Sequence, residues 1–150
     1  MTEYIKVKTR DFDEIEISER EILHFPEGMF AFEDSKRFVL LAPMGENKFP
    51  MWLQSVDSED ICFIIFDPFA SCPDYSVTLS DSEKKLLGIK DGSSEKIEYL
   101  VIGVVPGKYE DTTVNLKSPI AVNTETNTAV QIIAPEKYPI KFPLFKKEEK

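Results

Sequence analysis

Reactive side chains are scarce in this chain, which has one histidine, two cysteines, one tryptophan and six glycines among 150 residues. A zinc site of the usual kind needs clustered Cys and His ligands, and His24 with the well-separated Cys62 and Cys72 cannot supply them. The same cysteines form neither a CxxC pair nor a dense disulfide framework, so they carry little information about compartment. The glycines make no GxGxxG run and no P-loop, which removes the common phosphate cradles. The acidic residues lack the spacing and flanking helices of a calcium-binding loop. No apolar run approaches the roughly 20 residues of a membrane-spanning helix. The opening Met1-Thr2-Glu3-Tyr4-Ile5-Lys6 has no apolar stretch of the signal-peptide kind. A cytoplasmic protein with no cofactor, no metal and no membrane span is expected.

Basic charge is also in short supply. Eighteen Lys and Arg face 27 Asp and Glu, a net charge of −9. Such a chain repels nucleic-acid phosphates and anionic membranes, and favours solubility and basic protein partners. The strips Lys6-Lys8-Arg10 and Lys84-Lys85 are too small to reverse that balance and read as solvated faces. The acidic surface also leans towards a monomer.

What the chain does have is 42% hydrophobic residues, including 11 phenylalanines, arranged in short runs. At 150 residues it fits one domain, 1–150, with 146–150 as a frayed tail. Ile5, Val7 and Thr9 alternate with charged residues, as do Ile15 and Ile17, and each set predicts a half-buried strand. Further strands are expected at 22–25, 38–41, 49–54, 62–66, 98–105, 113–116, 120–123 and 129–134. Tyr75-Val77-Leu79 and Tyr138-Ile140-Phe142 also alternate. Gly45-Glu46-Asn47 reads as a hairpin loop and 124–127 as a turn. Ser80 and Glu83 match a capping box, followed by Lys84, Lys85, Leu86 and Leu87 before Gly88, so one short helix is expected there. About ten strands and one helix imply an all-β, mainly antiparallel fold, and a barrel removes exposed edges better than a sandwich does.

Candidate chemistry is thin. His24, between Leu23 and Phe25, reads as a packed strand residue, and Cys62 as a buried inert thiol. The segment Phe25-Pro26-Glu27-Gly28-Met29-Phe30-Ala31-Phe32 places aromatic and Met side chains around a turn where polar residues are expected. It is either a plug for one end of a barrel or an apolar patch for a partner. Gly28 reads as a positive-φ turn residue. Asn115 and Asn123 suit the closing of turns by bonding backbone groups. Gln54 and Ser55 end a strand as polar residues and are candidates for an interface.

Several segments resemble one family in order and spacing from about residue 4 to 144: Phe25-Pro26-Glu27-Gly28 with Phe32-Glu33, Trp52-Leu53-Gln54-Ser55, Thr113 through Asn123, and Gln131-Ile132-Ile133 with Tyr138. That family is the flagellar assembly factor FliW. The resemblance implies a barrel-like adaptor with no catalytic residue. Its implied partners are flagellin, near its helical terminal region, and CsrA, a dimeric RNA-binding translational repressor. Candidate partner-binding residues are Phe25, Glu27, Met29, Phe30, Gln54, Ser55, Asn115 and Asn123. Two other classes stay open at this point: a ligand-binding barrel of lipocalin type, and a small hydrolase using Cys72 or His24.

Overall fold

The structure is a computed structural model that describes residues 4–45, 48–89 and 97–145. Its strands are β1 (Tyr4–Val7), β2 (Ile15–Ser18), β3 (Ile22–His24), β4 (Arg37–Leu41), β5 (Met51–Ser55) and β6 (Cys62–Phe66). Two short helices follow, α1 (Pro68–Ser71) and α2 (Asp81–Leu86). Then come β7 (Ile97–Val104), β8 (Thr113–Val114), β9 (Ile120–Asn123), β10 (Thr128–Gln131) and β11 (Phe142–Pro143).

Seven strands close on themselves in the order β7-β6-β5-β4-β3-β10-β9 and back to β7. The ladders are antiparallel except at β3–β10, where Thr128 lies parallel to His24. Strand β7 closes the ring because its eight residues serve two partners on one edge. Ile97–Leu100 pair with β9, and Gly103–Val104 pair with β8, which in turn carries β11. β1 and β2 form a separate hairpin laid over the wall.

The registers set which side chains face inward, since neighbours along a strand alternate. Leu53 stands opposite Leu40 and Phe63, Ile65 opposite Met51 and Ile102, and Leu100 opposite Ile120. These inward positions, with Leu23, Phe25, Phe38, Val122, Ala129 and Met29, pack as the central core. His24, between two inward residues, therefore points outward and is exposed. It is a strand residue as expected but not a packed one.

The outward positions are covered in three places. The β1–β2 hairpin packs Val7 and Ile17 onto Ile22 and Val39. Leu79 and Leu87, which flank α2 on either side, cover Ala121 and Val130. Tyr75, Leu116, Ala134 and Tyr138 cover Phe66 and Val101. This explains why 75–79 alternates in burial without joining a ladder: its apolar residues pack on a wall that is already paired.

Helix α2 starts as the capping box requires, with Ser80 Oγ accepting from the Glu83 amide and the Glu83 carboxylate accepting from the Ser80 amide. Helix α1 was not expected, because Asp67-Pro68 reads as a strand stop. Asp67 is also an N-cap, accepting from the Phe69 amide at 2.9 Å, and Pro68 is preset for a first helical turn. The expected hairpin loop at Gly45-Glu46-Asn47 and the tail at 146–150 fall wholly or partly outside the described residues.

The turn after β3 depends on Gly28, at φ +70°, where a Cβ would stand 2.3 Å from the Glu33 carbonyl oxygen. Gly28→Ala should cost at least about 2 kcal/mol, from left-handed strain plus the clash. Gly88→Ala, at φ +73° with open space around it, should cost only about 1 kcal/mol. Urea unfolding of both variants checks this, and equal losses would contradict the backbone argument.

Candidate functional site

Among the described residues, one strip of wall stays open between the covered flanks. Its floor is Trp52 on β5 and Ile64 on β6, which stand opposite each other and point outward. The strip opens into a groove of about 790 Å³. Arg10, Asp11 and Phe12 from the β1–β2 connection line it together with Val105 and Tyr109. Met44, Phe49 and Pro50 line it as well. Phe12, Met44, Val105 and Tyr109 are 38–55% exposed, far more than core residues of the same type. Large open apolar side chains gathered in one concavity mark binding surfaces.

The groove is held in shape by polar contacts. The Arg10 amide donates to Gln54 Oε1 at 2.9 Å, and Arg10 Nη1 donates to the Cys62 carbonyl at 2.8 Å. Gln54 Nε2 donates to the carbonyls of Ser55 and Glu59, both at 3.1 Å. Asp11 accepts from Arg10 Nη2 at 2.8 Å and from Trp52 Nε1 at 3.0 Å. The Phe12 ring meets Trp52 edge-on at 5.5 Å. Tyr109 in turn meets Phe145 edge-on at 5.3 Å. The Arg10 guanidinium, and secondarily the indole N–H, hold the Asp11 carboxyl below its ordinary value. Burial pushes the Cys62 thiol up to about 11.

A second cavity, about 580 Å³, opens at one end of the barrel, where Leu40, Met51 and Leu100 meet Phe49 and Phe69 beside Asp67 and Glu98. The middle of the barrel is filled: Phe25, Phe38, Leu53, Ile65 and Ile120 have no exposed surface. Among the described residues, no three His, Cys, Asp or Glu side chains gather as a metal site would require. No helix of the described residues is long and apolar enough to cross a membrane. Both cysteines are free.

The residues singled out in the sequence separate into two groups. Phe25 and Met29 are buried in the core and present no surface. Phe30 is 45% exposed and Phe32 41%, with Phe32 edge-on to Phe63 at 5.6 Å, while Glu27 is exposed on the same turn. The Phe30 amide donates to Gln131 Oε1 at 2.7 Å, which pins that turn to β10. Gln54 and Ser55 are buried. Gln54 anchors Arg10, and Ser55 Oγ accepts from the amides of Asp57 and Ser58. Asn115 Oδ1 accepts from the amides of Lys117 and Ser118, closing a turn. Asn123 accepts from the Glu125 amide and donates to the Leu87 carbonyl at 2.7 Å, tying β9 to the end of α2. The groove residues Phe12, Met44, Val105 and Tyr109 carry no shared local signal. The one available clue was Trp52, a large aromatic on the outward parity of an otherwise core-facing strand.

Comparison with known proteins gives one consistent result. The profile of the FliW protein family matches residues 6–144. A flagellar assembly factor FliW of Caldanaerobacter subterraneus subsp. tengcongensis is 37% identical over 141 residues, covering 93% of each chain. That of Geotalea uraniireducens is 40% identical over 148 residues, covering 97% of this chain and 88% of its own. A crystal structure of the flagellar assembly factor FliW superposes with a TM-score of 0.88 at 31% identity, covering 97% of this chain and all of that one.

The site makes two measurable predictions. Cys72 should react with a thiol reagent at pH 8 far faster than Cys62, whose raised pKa leaves almost no thiolate; fast labelling of both would contradict the burial. Asp11→Asn should lower stability at pH 7 by less than about 1 kcal/mol, because the pair is partly solvated. A carboxyl held below its unfolded value stabilises above roughly pH 4 and loses that effect as pH falls through its folded pKa. Urea midpoints of variant and wild type should therefore converge below that pH.

Proposed function

The chain belongs to the FliW family of flagellar assembly factors, and from that premise we propose that it is a cytoplasmic, monomeric adaptor that binds flagellin and antagonises the translational repressor CsrA. When flagellin accumulates it occupies the adaptor, and CsrA is left free to repress flagellin translation. When flagellin is exported the adaptor is released and holds CsrA off its message. The role is one of binding without turnover.

The observation that carries this reading is the coexistence of two unlike surfaces on one closed barrel. One is an acidic exterior within a net charge of −9. The other is an open apolar strip around Trp52. A repressor that binds RNA must present basic surface, and an acidic exterior attracts it. Once docked, the adaptor lowers the potential felt by RNA phosphates within a Debye length of about 8–10 Å, so it need not overlap the RNA site. The antagonism is therefore non-competitive and electrostatic in part. Phe30 and Glu27, exposed on the turn after β3, remain candidates for partner contact.

Purified flagellin and CsrA, each titrated separately by calorimetry and then in competition, test the proposal. Both should bind, and flagellin should release CsrA. Raising salt from about 0.05 to 0.5 M should weaken the antagonism of RNA binding severalfold, because it shortens the screening length. Failure to bind either partner, or antagonism indifferent to salt, would overturn it.

A further inference from the structure

The β1–β2 hairpin is joined to the protein differently from every strand of the ring. Among the described residues its ladder runs only between its own two strands, and no ladder ties it to the wall it covers. Much of its bonding is internal. Register pairs from Tyr4–Ser18 to Val7–Ile15 hold the strands together. Thr9 Oγ1 accepts from the Phe12 amide at 2.8 Å, and Arg10 Nη2 donates to Asp11 at 2.8 Å, so the connection keeps its shape by itself.

Its hold on the wall is of two kinds. Val7 and Ile17, with the partly buried Ile5 and Ile15, pack on Ile22 and Val39 beside Leu41 and Val56. The polar ties come from Arg10 and Asp11: the Arg10 amide donates to Gln54 Oε1, Arg10 Nη1 to the Cys62 carbonyl, and Asp11 accepts from Trp52 Nε1. Each tie exchanges for water when the hairpin lifts, and Gln54 Nε2 keeps its bonds to the Ser55 and Glu59 carbonyls. Lifting therefore costs one small apolar contact, whereas freeing a ring strand breaks ladders on both of its edges. Among the described residues, the chain link between hairpin and ring is Ser18 and the exposed turn Glu19–Glu21. There the Arg20 carbonyl accepts from Asn127 Nδ2 at 2.6 Å, which anchors the far side of the turn to the ring. Cys62 stands opposite Gln54 on the outward face of β6, 7% exposed, where the Arg10 guanidinium reaches its carbonyl.

We propose that residues 4–18 are a releasable cover, which lifts as a unit on the turn Glu19–Glu21 while the ring stays closed, baring Ile22, Val39 and the Cys62 thiol. Arg10, Asp11 and Phe12 also line the cavity over Trp52, and they leave with the cover. The closed and lifted forms thus present different surfaces to anything bound at Trp52. A ligand that prefers one form shifts the balance by its difference in affinity and no more.

Cys72→Ser leaves Cys62 as the sole thiol, and Cys72→Ala replaces it if the first variant melts early. Labelling of Cys62 by a thiol reagent is followed at rising urea below the unfolding transition, beside global unfolding of the same variant by far-ultraviolet circular dichroism. Labelling should be at least about tenfold faster than the globally unfolded fraction allows. Its urea dependence should be less than about half the global one, because lifting exposes little surface. Val7→Ala, within the hairpin contact, should speed labelling by about tenfold. Leu79→Ala, on the flank that covers Ala121 and Val130, should lower the global midpoint and leave labelling without urea unchanged. In the wild-type chain the paired amides of β1 and β2 should exchange with deuterium together, at least about tenfold faster than those of β5. Labelling that follows global unfolding in size and urea slope, labelling unmoved by Val7→Ala, or equal acceleration by Leu79→Ala overturns the cover. So does exchange in β1 and β2 as slow as in β5.

Discussion

Closure of the wall through β7 is the constraint on which the rest of the molecule depends. β7 pairs with β6 on one side and, over its first half, with β9 on the other, so the sheet has no edge within the ring. Closure fixes the register of every neighbour, because a slip of one residue anywhere would turn an inward set of side chains out. Leu53, Ile65, Leu100 and Ile120 can share one core only in the registers observed. Everything outside follows from the same parity: Ile22, Val39, Phe66, Val101, Ala121 and Val130 are left facing outward and have to be covered.

The covers explain polar residues that would otherwise invite a functional interpretation. Gln54 is buried on the outward face, where an unpaired amide would cost about 1–3 kcal/mol. Its carboxamide is used fully, accepting from Arg10 and donating to carbonyls of the β5–β6 connection. Asn123 and Asn115 act alike, each closing a local turn, and Asn123 additionally bridges to α2. The stretch Trp52-Leu53-Gln54-Ser55 thus serves construction at three positions and leaves only Trp52 facing the groove.

The apolar turn after β3 shows how burial sorts a single segment. Gly28, at φ +70°, and Ala31, at φ 68°, reverse the chain so tightly that Met29 enters the core while Phe30 stays outside. The plug and the patch considered from composition are both present, divided residue by residue. A hydrophobic segment in isolation has no way to signal that division, because the inward direction is defined by β10, through the contact of the Phe30 amide with Gln131.

Local chemistry alone was enough for the alternating strands β1 and β2, the Ser80–Glu83 capping box, the acidic balance and the ordered motifs of the family, since each depends on near neighbours or on totals, but alternation misled at Tyr75-Val77-Leu79, which packs on the wall without joining a ladder. The first turn at Asp67-Pro68 was legible in principle but is ambiguous between stopping a strand and starting a helix. The outward exposure of His24, the structural use of Gln54 and the existence of the groove were decided only by the tertiary structure. Phe12, Met44, Trp52, Ile64, Val105 and Tyr109 come from separate parts of the chain and meet only once the ring has closed. What a closed wall leaves uncovered depends on the packing of every other segment, and no local pattern encodes that remainder.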